Sequence, residues 1–134
     1  MLFLFPKEAG FGSATWSNVT SVAIERKAEK SFLEFADGGS HVVLADVPEQ
    51  RVSVTVIQEL LSDDMDEPSP GEQGLLSFET APNASGAGRK RVSMTAVVLG
   101  VDYQVSRKAG SVRRVDLVAV SADGVADPVG VVDV

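Results

Sequence analysis

Residues 89–122 constrain this chain more than any other stretch. Val92, Met94, Ala96 and Val98 recur at alternate positions, and so do Val115, Leu117 and Ala119 further on. Between the two runs lies a short polar segment, Arg107, Lys108, Ala109, Gly110 and Ser111. Two β-rich runs around a glycine-containing turn form the pattern of a long β-hairpin. Beyond Gly100 the apolar set becomes Val101, Tyr103 and Val105, so its parity flips. One extra residue in a strand produces that flip, and glycine is the usual residue there, so a bulge is expected at Gly100. On the return run Val118 and Val120 face away from Val115 and Leu117. A strand that is apolar on both faces suits the middle of a sheet or an interface.

The rest of the chain reads as β structure with one exception. Residues 19–25 alternate, with Val22 and Ile24 on one face. In residues 26–36, Ala28, Phe32 and Phe35 follow an i, i+4, i+7 spacing, with Leu33 adjacent and Glu25, Glu29, Lys30 and Glu34 on the wet side. That spacing predicts a short helix stopped by Asp37, Gly38 and Gly39, the alternative being a charged strand extension of similar length. Residues 41–45 and 51–61 are expected as two strands joined around 46–50. In the second, Val52, Val54 and Val56 oppose Ser53 and Thr55, an alternation that fails after Ile57. Residues 62–74 and 81–88 are expected as long flexible loops, with strands at 75–80 and 129–132. Residues 1–18, with Phe3, Phe5, Phe11 and Trp16 among glycines, read as an N-terminal arm. It is either a terminal strand of its own sheet or an aromatic arm laid on the next subunit. The expectation is a single all-β domain over residues 1–134, mainly antiparallel. Its architecture is a β-sandwich or small barrel of six to eight strands with one short flanking α-helix.

Charge is unevenly distributed. The net charge is -7, which disfavours general attraction to nucleic acid or anionic membrane. Residues 1–88 hold 14 acids and 5 bases, whereas residues 89–134 hold 7 bases and 5 acids. Such polarity allows copies to attract one another head to tail. On this basis Asp63, Asp64 and Asp66 of the acidic loop, and Arg107, Lys108, Arg113 and Arg114 of the basic hairpin, are candidate subunit contacts. Phe3, Phe5, Phe11 and Trp16 of the arm join them. The chain has no cysteine, which removes disulfides, thiolate metal sites and cysteine nucleophiles. The opening five apolar residues, ended by Pro6, are too short for a signal-peptide core, and no run approaches a membrane span.

No catalytic, cofactor or metal site is expected. His41 is the single histidine and lacks a nucleophile motif around it. An EF-hand loop beginning at Asp64 would need its glycine at Ser69 and its acidic twelfth residue at Leu75. Gly86, Gly88 and Lys90 lack phosphate-loop spacing. The basic cluster has only Tyr103 nearby for base stacking, which favours salt bridges to a neighbouring subunit over nucleic-acid binding.

The order of residues 19–64 resembles the tail tube proteins of tailed bacteriophages and related gene-transfer particles. It runs from strand to charged amphipathic piece to valine-alternating strand to long acidic loop. The ending Val120, Ser121, Ala122, Asp123, Gly124, Val125, Ala126, Asp127, Pro128 and Val129 shares that likeness. The resemblance implies a structural virion protein without enzymatic activity. It would be assembled in the host cytoplasm as stacked hexameric rings with other tail proteins, around a lumen through which DNA slides without specific binding. Another ring-forming tail component, such as a terminator, distal tail or baseplate protein, is the alternative. A carbohydrate-binding β-sandwich is a further one.

Overall fold

The computed structural model describes residues 5–60, 68–81, 89–108 and 110–133, with only the backbone of Phe5, Lys7 and Ala81. Among these residues the chain forms eight strands and no helix: β1 (Phe5–Phe11), β2 (Ala14–Thr15), β3 (Val19–Phe35), β4 (Val42–Leu60), β5 (Gln73–Ala81), β6 (Lys90–Gln104), β7 (Ser111–Ala119) and β8 (Gly130–Asp133). All pairings are antiparallel, and the strands run β2-β1-β5-β6-β7-β4-β3 in one sheet. β8 pairs with the first four residues of β6, on the edge that β7 takes further along. No helix among the described residues is long and apolar enough to cross a membrane.

Alternation decides which face of this sheet is dry. Val52, Val54 and Val56 of β4, Leu76 and Phe78 of β5, Val92, Met94, Ala96 and Val98 of β6, and Val115 and Leu117 of β7 are all buried on one side. The sheet wraps around them, and β1 comes near β3 across the open seam. Phe11 and Trp16, stacked with centroids 5.6 Å apart, fill the core from that end. The result is a sandwich-like all-β body, as the alternation predicts.

The β6–β7 hairpin forms as expected. Gly110 takes a φ of 79° in its turn, a left-handed conformation that glycine adopts without a Cβ penalty. The expected bulge is present between Val98, which pairs with Leu117, and Gly100, which pairs with Asp116. Leu99 is the extra residue. Residues before β5 brace the bulge, with Gly71 N–H donating to the Val98 carbonyl at 2.8 Å. β7 lies between β6 and β4, the mid-sheet position expected of it; Val115 and Leu117 face the core, while Val118 is half-buried and Val120 exposed on the outer face.

Three expectations change. Residues 26–36 are not a helix; through Phe35 they continue β3, paired with β4 as far as Phe35 opposite Val42. The period-2 pattern is lost here because the residues have no buried face to impose it and because a bulge between Ala28 and Lys30 adds a residue to β3; the shifts between Lys30 and Phe32 and between Glu34 and Phe35 add theirs to β4. The expected strands at 41–45 and 51–61 are one strand, β4, running through residues 46–50. Pro48, which argued for a break, sits where Lys30 opposite Glu49 gives way to Phe32 opposite Asp46. A bulge is one of the few places a strand accommodates proline. Finally, the alternation of β4 does not fail directly after Ile57, and the strand stays paired with β7 as far as Leu60. Its inward alternation continues through a polar residue, Gln58, which is buried.

Candidate functional site: an exposed hairpin arm

β4 pairs with β7 only from Ser53 to Leu60. Before Ser53 its sole partner among the described residues is β3, so residues 26–51 leave the body as a two-stranded ribbon. Every residue from 25 to 51 is exposed. At a rise of about 3.3 Å per residue, the part of β4 before Ser53 projects roughly 35 Å. The far end closes through residues 36–41, where Gly38 takes a φ of 74° and Gly39 N–H donates to the Ala36 carbonyl at 3.0 Å. The Asp37, Gly38, Gly39 segment that reads as a helix stop is therefore a hairpin turn, and His41 is an exposed residue beside it.

The arm is anchored at its root by two ion pairs. Arg26 bonds Asp127 of the loop before β8 at 3.1 Å, and Arg51 bonds Glu29 across the ribbon at 3.1 Å. Asp127 also accepts the Val129 N–H at 3.0 Å. The Arg26 hydrogen bond, followed by that backbone bond, holds its carboxyl below the ordinary aspartate value. Asp123 in the same loop accepts the N–H groups of Val125 and Ala126, each at 2.9 Å, so the platform beneath the arm is fixed. Lys30 lies over the Phe32 ring, 5.5 Å from its centroid.

The arm's apolar content sets it apart. Phe32, Leu33 and Phe35 are 54%, 56% and 57% exposed, and Val42, Val43, Leu44 and Val47 are exposed on the other strand of the ribbon, Val42 directly opposite Phe35. An isolated two-stranded hairpin is marginally stable in water, and a contiguous apolar patch on a soluble protein marks an interaction surface. Among the described residues no strand pairs with either of its long edges, the geometry to which another strand or surface adds.

Several candidate contacts from the sequence lie elsewhere. Phe11 and Trp16 are buried in the body, so the terminal-strand alternative describes β1 and β2. Arg113 is not a surface residue either: it is 4% exposed. Its guanidinium lies 5.2 Å from the centre of the Trp16 ring and donates to Gln58 Oε1, while Gln58 Nε2 donates to the Ser17 carbonyl at 2.6 Å. This chain of contacts ties the β2–β3 connection to β4 and β7. Arg114 points outward beside Asp116, and Arg107 and Lys108 are exposed in the β6–β7 turn. Phe3, Asp63, Asp64 and Asp66 lie outside the described residues, as do residues 62–67 and 82–88 of the expected loops; Phe5 is described by its backbone alone.

Sequence reasoning missed two sites. One is the arm, hidden by its bulges. The other is Glu79, buried on the outer face of β5 opposite Arg91. Arg91 donates to it at 2.7 Å and Arg89 at 3.1 Å. The Arg91 hydrogen bond, followed by the charges of both arginines, holds the Glu79 carboxyl below the usual glutamate value despite the opposing effect of burial. An acid flanked by Leu75, Leu76 and Phe78, with a cluster of arginines ten residues later, was the available signal.

No protein-family model matches the chain, and no curated protein sequence matches it.

Proposed function

We propose that the protein is a structural protomer that self-assembles, and specifically a bacteriophage tail tube protein whose rings stack around a DNA-conducting lumen. The observation that carries this reading is the arm: a long ribbon with seven large apolar side chains exposed and two open edges. An element of that kind has its stabilising partner outside its own protomer. The tail tube assignment adds the resemblance of residues 19–64, which span the whole arm, and the all-β body to which the arm belongs. Sheet continuation between neighbouring protomers uses the same open edges, and the net charge of -7 suits a lumen through which DNA slides.

Negative-stain electron microscopy of the purified protein at high concentration tests the reading. Rings or open tubes of uniform diameter are the expected result. A monodisperse monomer at every concentration overturns it, and closed rings that never stack move the assignment to a terminator or distal tail component.

A further inference from the structure

Besides the arm, the described residues leave a second apolar surface exposed. It lies on the outer face of the body, across β5, β6 and β7. Leu75 is 54% exposed, and its cross-strand partner is Thr95. Val97 follows Thr95 on the same face and pairs with Val118, both half-buried. Val120 continues that row, its N–H donating to the Thr95 carbonyl at 2.8 Å, and the bulged Leu99 is exposed at its border. The patch spans three adjacent strands. The arm of the same protomer does not cover it: every residue from 25 to 51 is exposed, and β3 makes no contact with β5, β6 or β7.

Charge makes the two surfaces complementary. Residues 28–50 hold five acids (Glu29, Glu34, Asp37, Asp46 and Glu49) against one base, Lys30. Strands β5, β6 and β7 with the β6–β7 turn hold, apart from the inward-facing Arg113, five bases (Lys90, Arg91, Arg107, Lys108 and Arg114) against three acids (Glu79, Asp102 and Asp116). Arg114 stands on the outer face of β7 by the same alternation that places Val118 and Val120 there, and it is exposed. An apolar ribbon with acidic margins and an apolar face with basic margins fit each other in both respects.

We infer that the arm of one copy docks across the β5–β6–β7 outer face of a second copy. The inference rests on the self-assembly proposed above and names its partner surface. The contact is heterologous, since it joins two different patches. Repeated head to tail, it generates a closed ring or an open filament, not an isolated dimer. Phe32 and Leu44, which share one face of the ribbon with Glu34 and Asp46, meet Leu75, Val97, Val118 and Val120, and one of those two acids faces Arg114.

The absence of native cysteine makes the contact directly measurable. Leu44→Cys on one preparation and Val120→Cys on another are mixed in equal amounts under mild oxidation, with Leu75→Cys and Leu99→Cys as further receivers. The expected result is a disulfide dimer of the two variants at one or more receiver positions. The double variant L44C/V120C should give a ladder of linked copies. Rings or tubes on the grid without a cross-link at any of the three receivers overturn the docking face and leave self-assembly standing. Dimers of L44C with itself, at a yield no mixture exceeds, overturn it in favour of arm-to-arm pairing. A monomer with no cross-link at all removes both readings.

Discussion

Two neighbouring arginines on β7 behave as opposites because strand alternation sends Arg113 into the body and Arg114 out of it. Arg113→Glu places a carboxylate against Gln58 Oε1 and the face of Trp16, with burial disfavouring its charge. Breaking a buried charged contact of this kind costs about 3–5 kcal/mol, a large part of a domain's total of roughly 5–15 kcal/mol. Arg114→Glu alters an exposed pair with Asp116 and shifts protomer stability by about 0.5 kcal/mol or less. It should weaken assembly all the same. Urea unfolding followed by the fluorescence of the sole tryptophan, Trp16, separates the two; equal shifts for both variants contradict the placement of Arg113. Glu79 gives a pH dependence. Its carboxyl is more acidic in the folded protein than in the unfolded chain, where it titrates near 4.3. Its stabilisation is therefore complete above that unfolded value and is lost as the pH falls through the lowered folded value. Asp123 and Asp127, also lowered, act in the same direction. Glu79→Gln should flatten, without abolishing, the decline of the urea midpoint below about pH 4.5; a decline parallel to that of the parent chain excludes this role.

At the scale of elements, the body and the arm divide the chain between two physical tasks. The body buries its alternating residues, and Leu117→Ala, at a fully buried site among Val98, Val115 and Val54, should cost about 2–5 kcal/mol. The arm buries nothing within its own protomer, so removing it should cost the fold little. Replacing residues 28–50 by Asn-Gly joins Lys27 to Arg51, which already face each other across the ladder, through a turn suited to a two-residue loop. The shortened chain should keep its β circular dichroism and its thermal midpoint within a few degrees, yet form no rings. A chain that cannot fold without residues 28–50 contradicts this division. The same division explains what was legible in the sequence. β5, β6, β7 and the dry half of β4 bury one face and expose the other, so their period of two is written in Val52 to Val56 and Val92 to Val98. Even the bulge could be located, because both sides of Gly100 carry a clear pattern. The arm has no dry face, and burial is what writes periodicity into a sequence. With three bulges and Pro48 added, Ala28, Phe32 and Phe35 fell at helical spacing by position alone. Gln58, Glu79 and Arg113 were illegible for another reason. Each is polar, and only the fold shows that its partner lies 10 to 55 residues away.

At the scale of the whole molecule, the proposed contact makes the protomer an asymmetric building block, with an arm at one side and a receiving face at another. That asymmetry has a consequence that does not depend on seeing the assembled particle. A copy lacking residues 28–50 retains β5, β6 and β7, so it can accept an arm but cannot offer one. Mixed with full-length protein, it should occupy a position in a growing ring or tube and stop growth there. Because one defective copy interrupts a closed ring of several, a minor fraction of shortened chain should lower the assembled mass by more than its own proportion. Its effect should grow with the number of protomers per ring. An arm-to-arm contact behaves differently, since a copy without an arm is then invisible to its neighbours and only dilutes them. Light scattering or sedimentation across a mixing series distinguishes the two: a curve falling below the dilution line supports the head-to-tail contact. A curve lying on that line removes it, even where full-length protein alone assembles well. Salt provides the companion measurement, because contacts between an acidic arm and a basic face are screened over about 8–10 Å at moderate ionic strength. Assembly should therefore weaken between low and moderate salt. Assembly that strengthens steadily over that range means that the apolar residues of the arm dominate and Arg114 contributes nothing.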